Sequence, residues 1–278
     1  MLFAAVSSLN AACIDDDTGQ RVCLDKKPER IISLYGAYSE LLWRTEAGGA
    51  VVGRTKSDDT IPEMEKLPVV GTGLRPNPEY VLALSPDLVV ARSGKAGSDA
   101  LTNLRERGVK VAAFDPQSLA ELYLVINRLG VLTGREDKAT ALAAGLREGI
   151  EAVRNGAAKY DKKPTVVFEI SAEPLTVAGS EGLINELIAL AGGVNAISQK
   201  KRLVRLDAEA LLAANPDFYF VQVGPMNLNP QPPAERTHHA RLKAVAEGRV
   251  KTVDEKLFSR PGPNVVPAAQ ELLKLMHP

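Results

Sequence analysis

Residues 79–91 read EYVLALSPDLVVA, and residues 209–221 read EALLAANPDFYFV. In both stretches a Glu is followed by Pro seven positions later and by Asp eight positions later. Each stretch begins with the spacing of a short amphipathic helix, which should end at the proline because the residue before proline avoids the helical region. An apolar run long enough for one buried strand follows. Because the unit occurs twice, 209 − 79 = 130 residues apart, it predicts two similar α/β lobes with a cleft between them.

The composition excludes several classes of protein. The chain has 278 residues, of which 45% are hydrophobic, and its formal net charge is +0. This length fits two domains of ordinary size. A neutral chain lacks the basic field that non-specific nucleic-acid binding requires, so no nucleic-acid partner is expected. The sequence contains no apolar run of the ~18 residues that would indicate a membrane-spanning helix.

Outside the repeat, apolar runs alternate with helical segments of about ten residues, a pattern typical of parallel sheets covered by helices. We expect Ser39 to cap a helix that begins at Glu40. Further helices are predicted at 239–247 and 263–276. The predicted strands are residues 30–34, 50–53, 68–71, 88–91, 109–114, 164–170, 218–223 and 250–253.

Residues 136–160 have the periodicity of one long helix, which predicts a stiff connector between the lobes. The expected domains are a signal-peptide remnant at 1–12, a first lobe with a leading hairpin at 13–133, the connecting helix at 134–161 and a second lobe at 162–278. The apolar face of the predicted helix consists of Ala139, Leu142, Leu146, Ile150 and Val153.

The two cysteines, Cys13 and Cys23, flank a stretch whose centre, 17–19, has the residues of a turn. This arrangement predicts a β-hairpin with a cross-strand disulfide, and hence an oxidising compartment. Two free thiols on paired strands are the alternative. The apolar, small residues before Cys13 resemble the end of an export signal, and only loosely a lipoprotein box. We therefore expect an exported, extracytoplasmic protein, with a lipid anchor at Cys13 as an open alternative.

Ligands of parallel α/β sheets bind beyond the carboxyl ends of the strands. Five arginines fall at such positions, and arginine suits two-pronged binding of carboxylates or of a chelate's anionic oxygens. The alternative for each arginine is an ion pair with a surface acid. The predicted ligand-binding residues are Tyr35, Tyr38, Arg54, Arg75, Arg92, Arg205, Met226, Phe258 and Arg260.

Motifs of enzymes are missing from the sequence. There is no P-loop and no Gly-x-Ser-x-Gly elbow, and the glycines at 71–73 lack the third glycine of a dinucleotide fingerprint. Of the three histidines, His238 and His239 are adjacent and therefore point in different directions on a helix. We predict no catalytic residue, no resident metal and no catalytic cofactor. The alternative of another class is a two-lobed nitrogenase-like enzyme, which would need more cysteine ligands.

Several motifs occur together in a fairly specific order: RIISL followed by ELL at 30–42, VVG at 51–53, VGTG with NPE at 70–79, LSPDLV at 84–89 and FSRPGP at 258–263. Together they resemble the periplasmic binding proteins of ABC importers for vitamin B12, haem and ferric siderophores. The resemblance implies two Rossmann-like lobes with parallel sheets, joined by a single long rigid helix. It also implies a transported metal chelate as ligand and a monomeric protein.

The same resemblance implies docking onto an ABC permease dimer, which works with its ATPase, through one acidic residue on each lobe. Glu79 and Glu209 match those positions. Of the aromatic residues that B12 binders place around the ligand, only Phe258 matches here. We therefore expect an iron chelate, either a ferric siderophore or haem, with a corrinoid as the alternative. Tyr35 or Tyr38 would be the axial residue of a haem carrier.

Overall fold

A computed structural model describes residues 11–94 and 97–278. The chain divides into two compact units, one with residues up to Pro116 together with Leu122–Ala144, the other with Gln117–Glu121 together with Gly145–Pro278. Most of the predicted signal remnant lies outside the described residues, although Ala12 is the first residue of a strand. Among the described residues, none of the helices combines the length and the hydropathy that a membrane crossing requires.

The first unit contains a four-stranded parallel sheet and a separate two-stranded hairpin. The elements are β1 Ala12–Asp15, β2 Arg21–Leu24, β3 Ile31–Ser33, α1 Gly36–Arg44, β4 Val51–Gly53, α2 Pro78–Ala83, β5 Leu88–Arg92, α3 Ser98–Glu106, β6 Val111–Phe114 and α4 Leu119–Thr133, whose first three residues belong to the second unit. The sheet order is β4-β3-β5-β6, and the hairpin pairs β1 with β2.

The helix α5, Glu136–Ala157, contributes residues to both units. It ends at Ala157, three residues before the end of the helix predicted at 136–160. Its predicted apolar face is largely buried, with Ala139, Leu146, Ile150 and Val153 all in the core.

The second unit contains a six-stranded sheet with its helices. Its elements are β7 Thr165–Ala172, β8 Leu175–Ala178, α6 Leu183–Leu190, β9 Val194–Asn195, β10 Leu203–Arg205, α7 Ala208–Ala214, β11 Phe218–Val223, α8 Lys243–Ala246, β12 Val250–Asp254, α9 Glu255–Phe258 and α10 Val265–Met276. The sheet order is β10-β8-β7-β11-β12, and β9 pairs with the first residues of β7.

The predicted α/β class with parallel sheets is confirmed, and the second sheet adds an edge that the sequence analysis did not identify. The strands β7, β11 and β12 are parallel, whereas the edge pairs β7–β8 and β8–β10 are antiparallel. These edge strands have only three or four residues, too few for a hydrophobic pattern to predict them. Their pairing depends on the neighbouring strand, not on local sequence.

The repeated helix–turn–strand unit is confirmed in both halves, and it extends two residues further back than the repeat identified in the sequence. Asn77 caps α2 by accepting from two backbone amides of the first turn, and Asp207 caps α7 by accepting from one. Such a cap stabilises a helix by about 1 kcal/mol. One turn later, Val81 and Leu211 are both fully buried. The paired positions are again 130 residues apart, since 207 − 77 and 211 − 81 give the same value.

The residue before the repeated proline adopts a left-handed conformation in both copies. Ser85 has φ 45° and Asn215 has φ 32°. Proline excludes the right-handed helical region for this residue, and a short polar side chain tolerates the left-handed region. The turn therefore redirects the chain into β5 and β11 in the same manner.

Three local predictions are wrong. Helix α1 begins at Gly36 instead of Glu40, and Ser39 does not cap it but donates a hydrogen bond to Asp58 Oδ1 at 2.9 Å. Residues 68–71 form isolated bridges and no strand. The predicted helix at 239–247 is a short 3-10 turn, His239–Arg241, followed by α8. In the last two cases the apolar pattern was too short to distinguish a regular element from a packed turn.

The leading hairpin and its disulfide are confirmed. Cys13 lies directly opposite Cys23 in the antiparallel pair, and their sulfur atoms are 2.08 Å apart. Ile14 and Val22 form the next pair and are both buried. The sulfur of Cys13 is thus already bonded, so this disulfide and a thioether-linked lipid at Cys13 are mutually exclusive.

Candidate functional site

In the first unit, side chains from three neighbouring strand ends meet at the carboxyl edge of the sheet. Tyr35 follows β3, Arg92 ends β5 and Asp115 follows β6. Arg92 Nε donates to Asp115 Oδ1 at 2.8 Å, and the guanidinium carbon lies 5.6 Å from the centre of the Tyr35 ring. The parallel register of β3, β5 and β6 brings these residues together.

The two predicted tyrosines have different environments. Tyr38 is fully buried, and its hydroxyl donates to the carbonyl of Phe114 at 2.7 Å. Burial raises the pKa of Tyr38 well above its ordinary value, so its phenol stays protonated. Tyr35 is only half-buried, and its ring contacts the edge of Tyr38 at 5.0 Å between ring centres. Of the two, Tyr35 is therefore the one that a ligand at this edge could reach.

Arg54 and Arg75 lie in different situations. Arg54 follows β4, and its guanidinium donates to the carbonyls of Thr55 and Glu65. These hydrogen bonds close the loop between residues 55 and 65. Arg75 is exposed in the turn at 71–76. The turn packs tightly on the end of β3, since a Cβ on Gly73 would lie 2.4 Å from the carbonyl oxygen of Leu34. Leu74, at its tip, is 58% exposed.

In the second unit, the loop after β11 lines an open cavity of about 660 Å³. The cavity lies beside the carboxyl end of β7, where Ala172 N donates to Asn227 Oδ1 at 2.9 Å. The predicted residue Met226 lines it and is half exposed. The other lining residues are Ser171, Ala172, Glu173, Asn227, Leu228, Asn229, Pro230, Gln231, Glu235, Arg236, Thr237, His238 and His239.

A buried ion pair fixes this loop. Arg236 binds the fully buried Glu169 through two hydrogen bonds, Nη1 to Oε2 at 2.6 Å and Nη2 to Oε1 at 3.1 Å. The hydroxyl of Tyr219 donates to Glu169 Oε2 at 2.5 Å, and Arg236 Nε donates to the carbonyl of Gln231 at 2.6 Å. The bidentate geometry compensates the cost of burying two charges.

The same network shifts two neighbouring titratable groups. Burial, together with the negative charge of Glu169, raises the pKa of Tyr219 well above its ordinary value. Burial and the positive charge of Arg236 lower the pKa of His239, whose ring packs edge-on against Tyr219 at 5.6 Å. At neutral pH, His239 is therefore a neutral imidazole in the cavity wall.

The sequence analysis did not identify Glu169 and Arg236 as a pair. One signal was present, because a glutamate in the otherwise apolar strand TVVFEISA requires a partner when it is buried. The partner lies 67 positions further on, in a loop without regular structure. No local pattern relates the two residues.

The remaining predicted ligand residues of the second unit lie at three places. Phe258 is 2% exposed and packs against Phe168, with ring centres 5.6 Å apart. Arg260 is 8% exposed. Arg205 ends the antiparallel edge strand β10 and is exposed.

The matched tips of the repeated strands carry different side chains. Gln222, 222 − 92 = 130 positions after Arg92, is fully buried and accepts a hydrogen bond from Ser259 Oγ. At these equivalent positions the first unit therefore has the cation of Arg92, and the second unit has the buried, neutral amide of Gln222.

The two predicted docking acids lie at the start of the repeated helices. Glu79 is in the first turn of α2 and Glu209 in the first turn of α7, and both are exposed. Glu79 Oε1 lies 3.6 Å from Arg107 Nη1. An exposed pair of this kind contributes little to stability, so Glu79 remains available to a partner.

Within the described ranges, no three His, Cys, Asp or Glu side chains come together in a way that suits a metal ion. Both cysteines of the sequence are joined in the hairpin, which leaves no thiolate to ligate an iron–sulfur cluster. The nitrogenase-like alternative therefore lacks the ligands it needs.

Comparison with known proteins gives one consistent family. The family model described as periplasmic binding protein matches residues 31–257. The ABC transporter substrate-binding lipoprotein YvrC of Bacillus subtilis is 30% identical over 271 residues, which cover 95% of this chain and 85% of YvrC. The vitamin B12-binding protein of Photorhabdus laumondii is 24% identical, covering 90% of this chain and 88% of that protein.

A solved structure shows the same fold. The periplasmic haem-binding protein RhuT of Roseiflexus sp. RS-1, in its apo form, matches with a TM-score of 0.79 and 27% sequence identity. The match covers 90% of this chain and 98% of that one. The described fold therefore extends over nearly the whole of both proteins.

Proposed function

We propose that this chain, which belongs to the periplasmic binding protein family, is the extracytoplasmic solute-binding component of an ABC importer. It captures an iron chelate, haem or a ferric siderophore, and delivers it to a membrane permease that works with an ATPase. Its role is binding and delivery without chemical turnover.

The observation that carries the iron-chelate proposal is the pair Tyr35 and Arg92 at the carboxyl edge of the first sheet. A phenol oxygen is a hard donor suited to ferric iron, and a guanidinium binds a carboxylate of the same chelate. Tyr35 is only half-buried, so a ligand at this edge can reach its ring. Exposed Arg75 adds a second cation on the same unit.

The cavity of the second unit supports the same class of ligand. Its wall combines the thioether of Met226, the imidazoles of His238 and His239 and several amides. These groups bind a polar, metal-containing molecule better than a purely apolar one. The buried Glu169–Arg236 pair holds the loop that carries them.

A corrinoid is the second candidate. Two exposed leucines favour it, Leu74 at 58% in the first unit and Leu228 at 75% in the second. Large apolar side chains exposed beside a binding edge suit the broad face of a corrin ring better than they suit a hydrated siderophore. The relatedness to a vitamin B12-binding protein supports the same candidate.

Ligand titrations test the proposal directly. The purified protein is titrated with haemin, with a ferric hydroxamate siderophore and with cyanocobalamin, and binding is followed by calorimetry and by absorption spectra. We expect one of the two iron chelates to bind at least about tenfold more tightly than cyanocobalamin, a difference of about 1.4 kcal/mol. Tighter binding of cyanocobalamin would favour the corrinoid, and no binding of any of the three would refute the proposal.

A matched pair of variants tests the role of Tyr35. Tyr35→Phe removes only the phenol oxygen, so it should weaken iron-chelate binding about tenfold or more and change the visible spectrum of bound haemin. Tyr160→Phe is the control, because Tyr160 belongs to the second unit and its ring stacks on His277. Equal affinities for Tyr35→Phe and the unchanged protein would remove Tyr35 from the site.

A further inference from the structure

The loop of the leading hairpin is bonded to the carboxyl end of β6. Asp17 N donates to the carbonyl of Ala113 at 3.0 Å, so one backbone hydrogen bond joins the hairpin loop to the edge strand β6. In return, Asp115 N donates to Asp17 Oδ2 at 2.8 Å. The side chain of Asp17 thereby fixes the backbone of the residue whose own carboxylate holds Arg92.

Arg128, from α4, secures Asp17 from the other side. Its Nη1 lies 2.8 Å from Asp17 Oδ1 and donates to the carbonyl of Asp15 at 2.9 Å. Its guanidinium carbon lies 4.8 Å from the centre of the Phe114 ring. These contacts are partly shielded from solvent, since Arg128 and Asp17 are each only about a quarter exposed. Ion pairs with such additional hydrogen bonds restrict geometry more than an exposed pair does.

The contacts form one continuous series: Arg128 pairs with Asp17, Asp17 accepts from the backbone amide of Asp115, and Asp115 pairs with Arg92, which lies against the ring of Tyr35. We propose that Asp17 and Arg128 are positioning residues for ligand binding, which act through Asp115 on the orientation of Arg92. In this proposal the disulfide-closed hairpin helps to orient Arg92 at the carboxyl edge of the sheet. The inference rests on the proposed function, because it takes Arg92 as a ligand-facing residue.

A second anchor shows that Asp17 is not needed merely to attach the hairpin. The neighbouring Asp16 is buried, and its Oδ2 accepts from Arg105 Nη2 at 2.8 Å and from Ala113 N at 3.0 Å. Asp16 Oδ1 accepts from Thr18 and Gln20 and so shapes the turn itself. Asp16 thus attaches and folds the hairpin, whereas Asp17 contacts the residue that orients Arg92.

Exchange of the Arg92 Nε proton, measured by NMR on ¹⁵N-labelled protein without ligand, tests this separation. Asp17→Asn removes the charge that Arg128 binds, and we expect the Arg92 Nε proton to exchange about tenfold faster. Asp15→Asn is the matched control, because it makes the same charge change at the end of β1 in the same hairpin, where the Asp15 side chain forms an exposed ion pair with Arg21. Unchanged exchange in Asp17→Asn, or equal acceleration in both variants, would overturn the inference.

A double-mutant cycle with haemin, the ferric hydroxamate and cyanocobalamin as probes gives the second readout. Asp17→Asn should weaken binding several-fold in the unchanged protein. In the Arg92→Lys variant it should have little further effect, because Asp17 acts on the ligand through Arg92. Asp17→Glu, which keeps the negative charge, should bind the probes nearly as tightly as the unchanged protein. Equal weakening in both backgrounds would overturn the inference. If the unchanged protein binds none of the probes, the proposed function fails, whereas the proton-exchange result still decides whether Asp17 positions Arg92.

Discussion

Asp87 and Asp217 hold the start of a neighbouring strand in the same way, although 217 − 87 = 130 positions separate them. Asp87 Oδ2 accepts from the backbone amides of Glu29 and Arg30, just before β3. Asp217 Oδ2 accepts from the backbone amide and the hydroxyl of Thr165, at the start of β7. The aspartate of the Pro-Asp step is therefore a strand clamp in both units.

Acid should weaken the second clamp. Hydrogen bonds from Lys243 and then from Thr165 hold the pKa of Asp217 well below its ordinary value. A carboxylate whose pKa is lowered by folding stabilises the fold above its unfolded pKa of about 3.9 and loses that contribution as the pH falls. We expect Asp217→Asn to lower the free energy of unfolding by about 1–3 kcal/mol at pH 7. The difference should shrink as the pH falls below about 5, in urea unfolding followed by circular dichroism. Asp161→Asn, at an exposed position, is the control, and a loss for Asp217→Asn that is independent of pH would contradict the mechanism.

The buried pair Glu169–Arg236 should be sensitive to the loss of one partner. Arg236→Met leaves the carboxylate of Glu169 buried without its cation, and we expect a cost of about 3–5 kcal/mol in urea unfolding. The double variant Glu169→Leu with Arg236→Met removes both charges and should recover much of that loss. Arg241→Met changes an exposed arginine of the same segment and should be nearly neutral. A double variant as unstable as Arg236→Met alone would show that unpaired charge is not the cause.

The predicted arginines should separate into two kinds. Arg75 is exposed, so Arg75→Ala should weaken binding of the iron chelate about tenfold and change the free energy of unfolding by less than about 0.5 kcal/mol. Arg260 is buried, so Arg260→Ala should lower stability as well as affinity. Calorimetric titration and urea unfolding measure both quantities, with Arg44→Ala as an exposed control. Unchanged affinity in both Arg75→Ala and Arg260→Ala would show that neither arginine binds the ligand.

Loss of the two docking acids should affect transport and spare ligand binding. The double variant Glu79→Ala with Glu209→Ala removes the charges that we propose orient the protein on its permease. Uptake of labelled ligand by cells should fall by at least about tenfold, since several kcal/mol of orienting interaction disappear, while the affinity of the isolated protein stays unchanged. Glu148→Ala, at an exposed position of α5, is the control. Normal uptake by the double variant would refute the docking proposal.

The disulfide can be checked on the intact protein. Alkylation under denaturing, non-reducing conditions should label no cysteine, and reduction beforehand should give two labels per chain. Mass analysis of the same sample also reports on Cys13, because a lipid thioether there would leave Cys23 as a single reactive thiol. One or two labels without reduction would contradict the disulfide.

Much of the fold follows from the sequence because its signals are local. The repeated Pro-Asp units, the long helix α5 and the strands β3, β5 and β11 are each specified by residues a few positions apart. Apolar runs and helical periodicity report burial directly. The hairpin followed from mirrored residues around one turn.

The candidate site was only partly predictable. Strand-end positions identified Tyr35, Arg92 and Met226, because parallel strands bring their carboxyl ends to one edge. They could not show that Tyr38 is buried beneath Tyr35 or that Phe258 packs against Phe168. Those differences depend on which face of an element the core covers.

The sequence by itself determined that there are two related α/β halves, a connecting helix and a stapled hairpin, since each is encoded in short-range patterns of apolar, turn and cysteine residues. Only the tertiary structure decided that Glu169 pairs with Arg236, that Arg92 is held by Asp115, and that Asp17 of the hairpin accepts a hydrogen bond from the amide of Asp115. These partners are separated by 23 to 98 positions, and a charged side chain finds its partner through folding, not through sequence spacing.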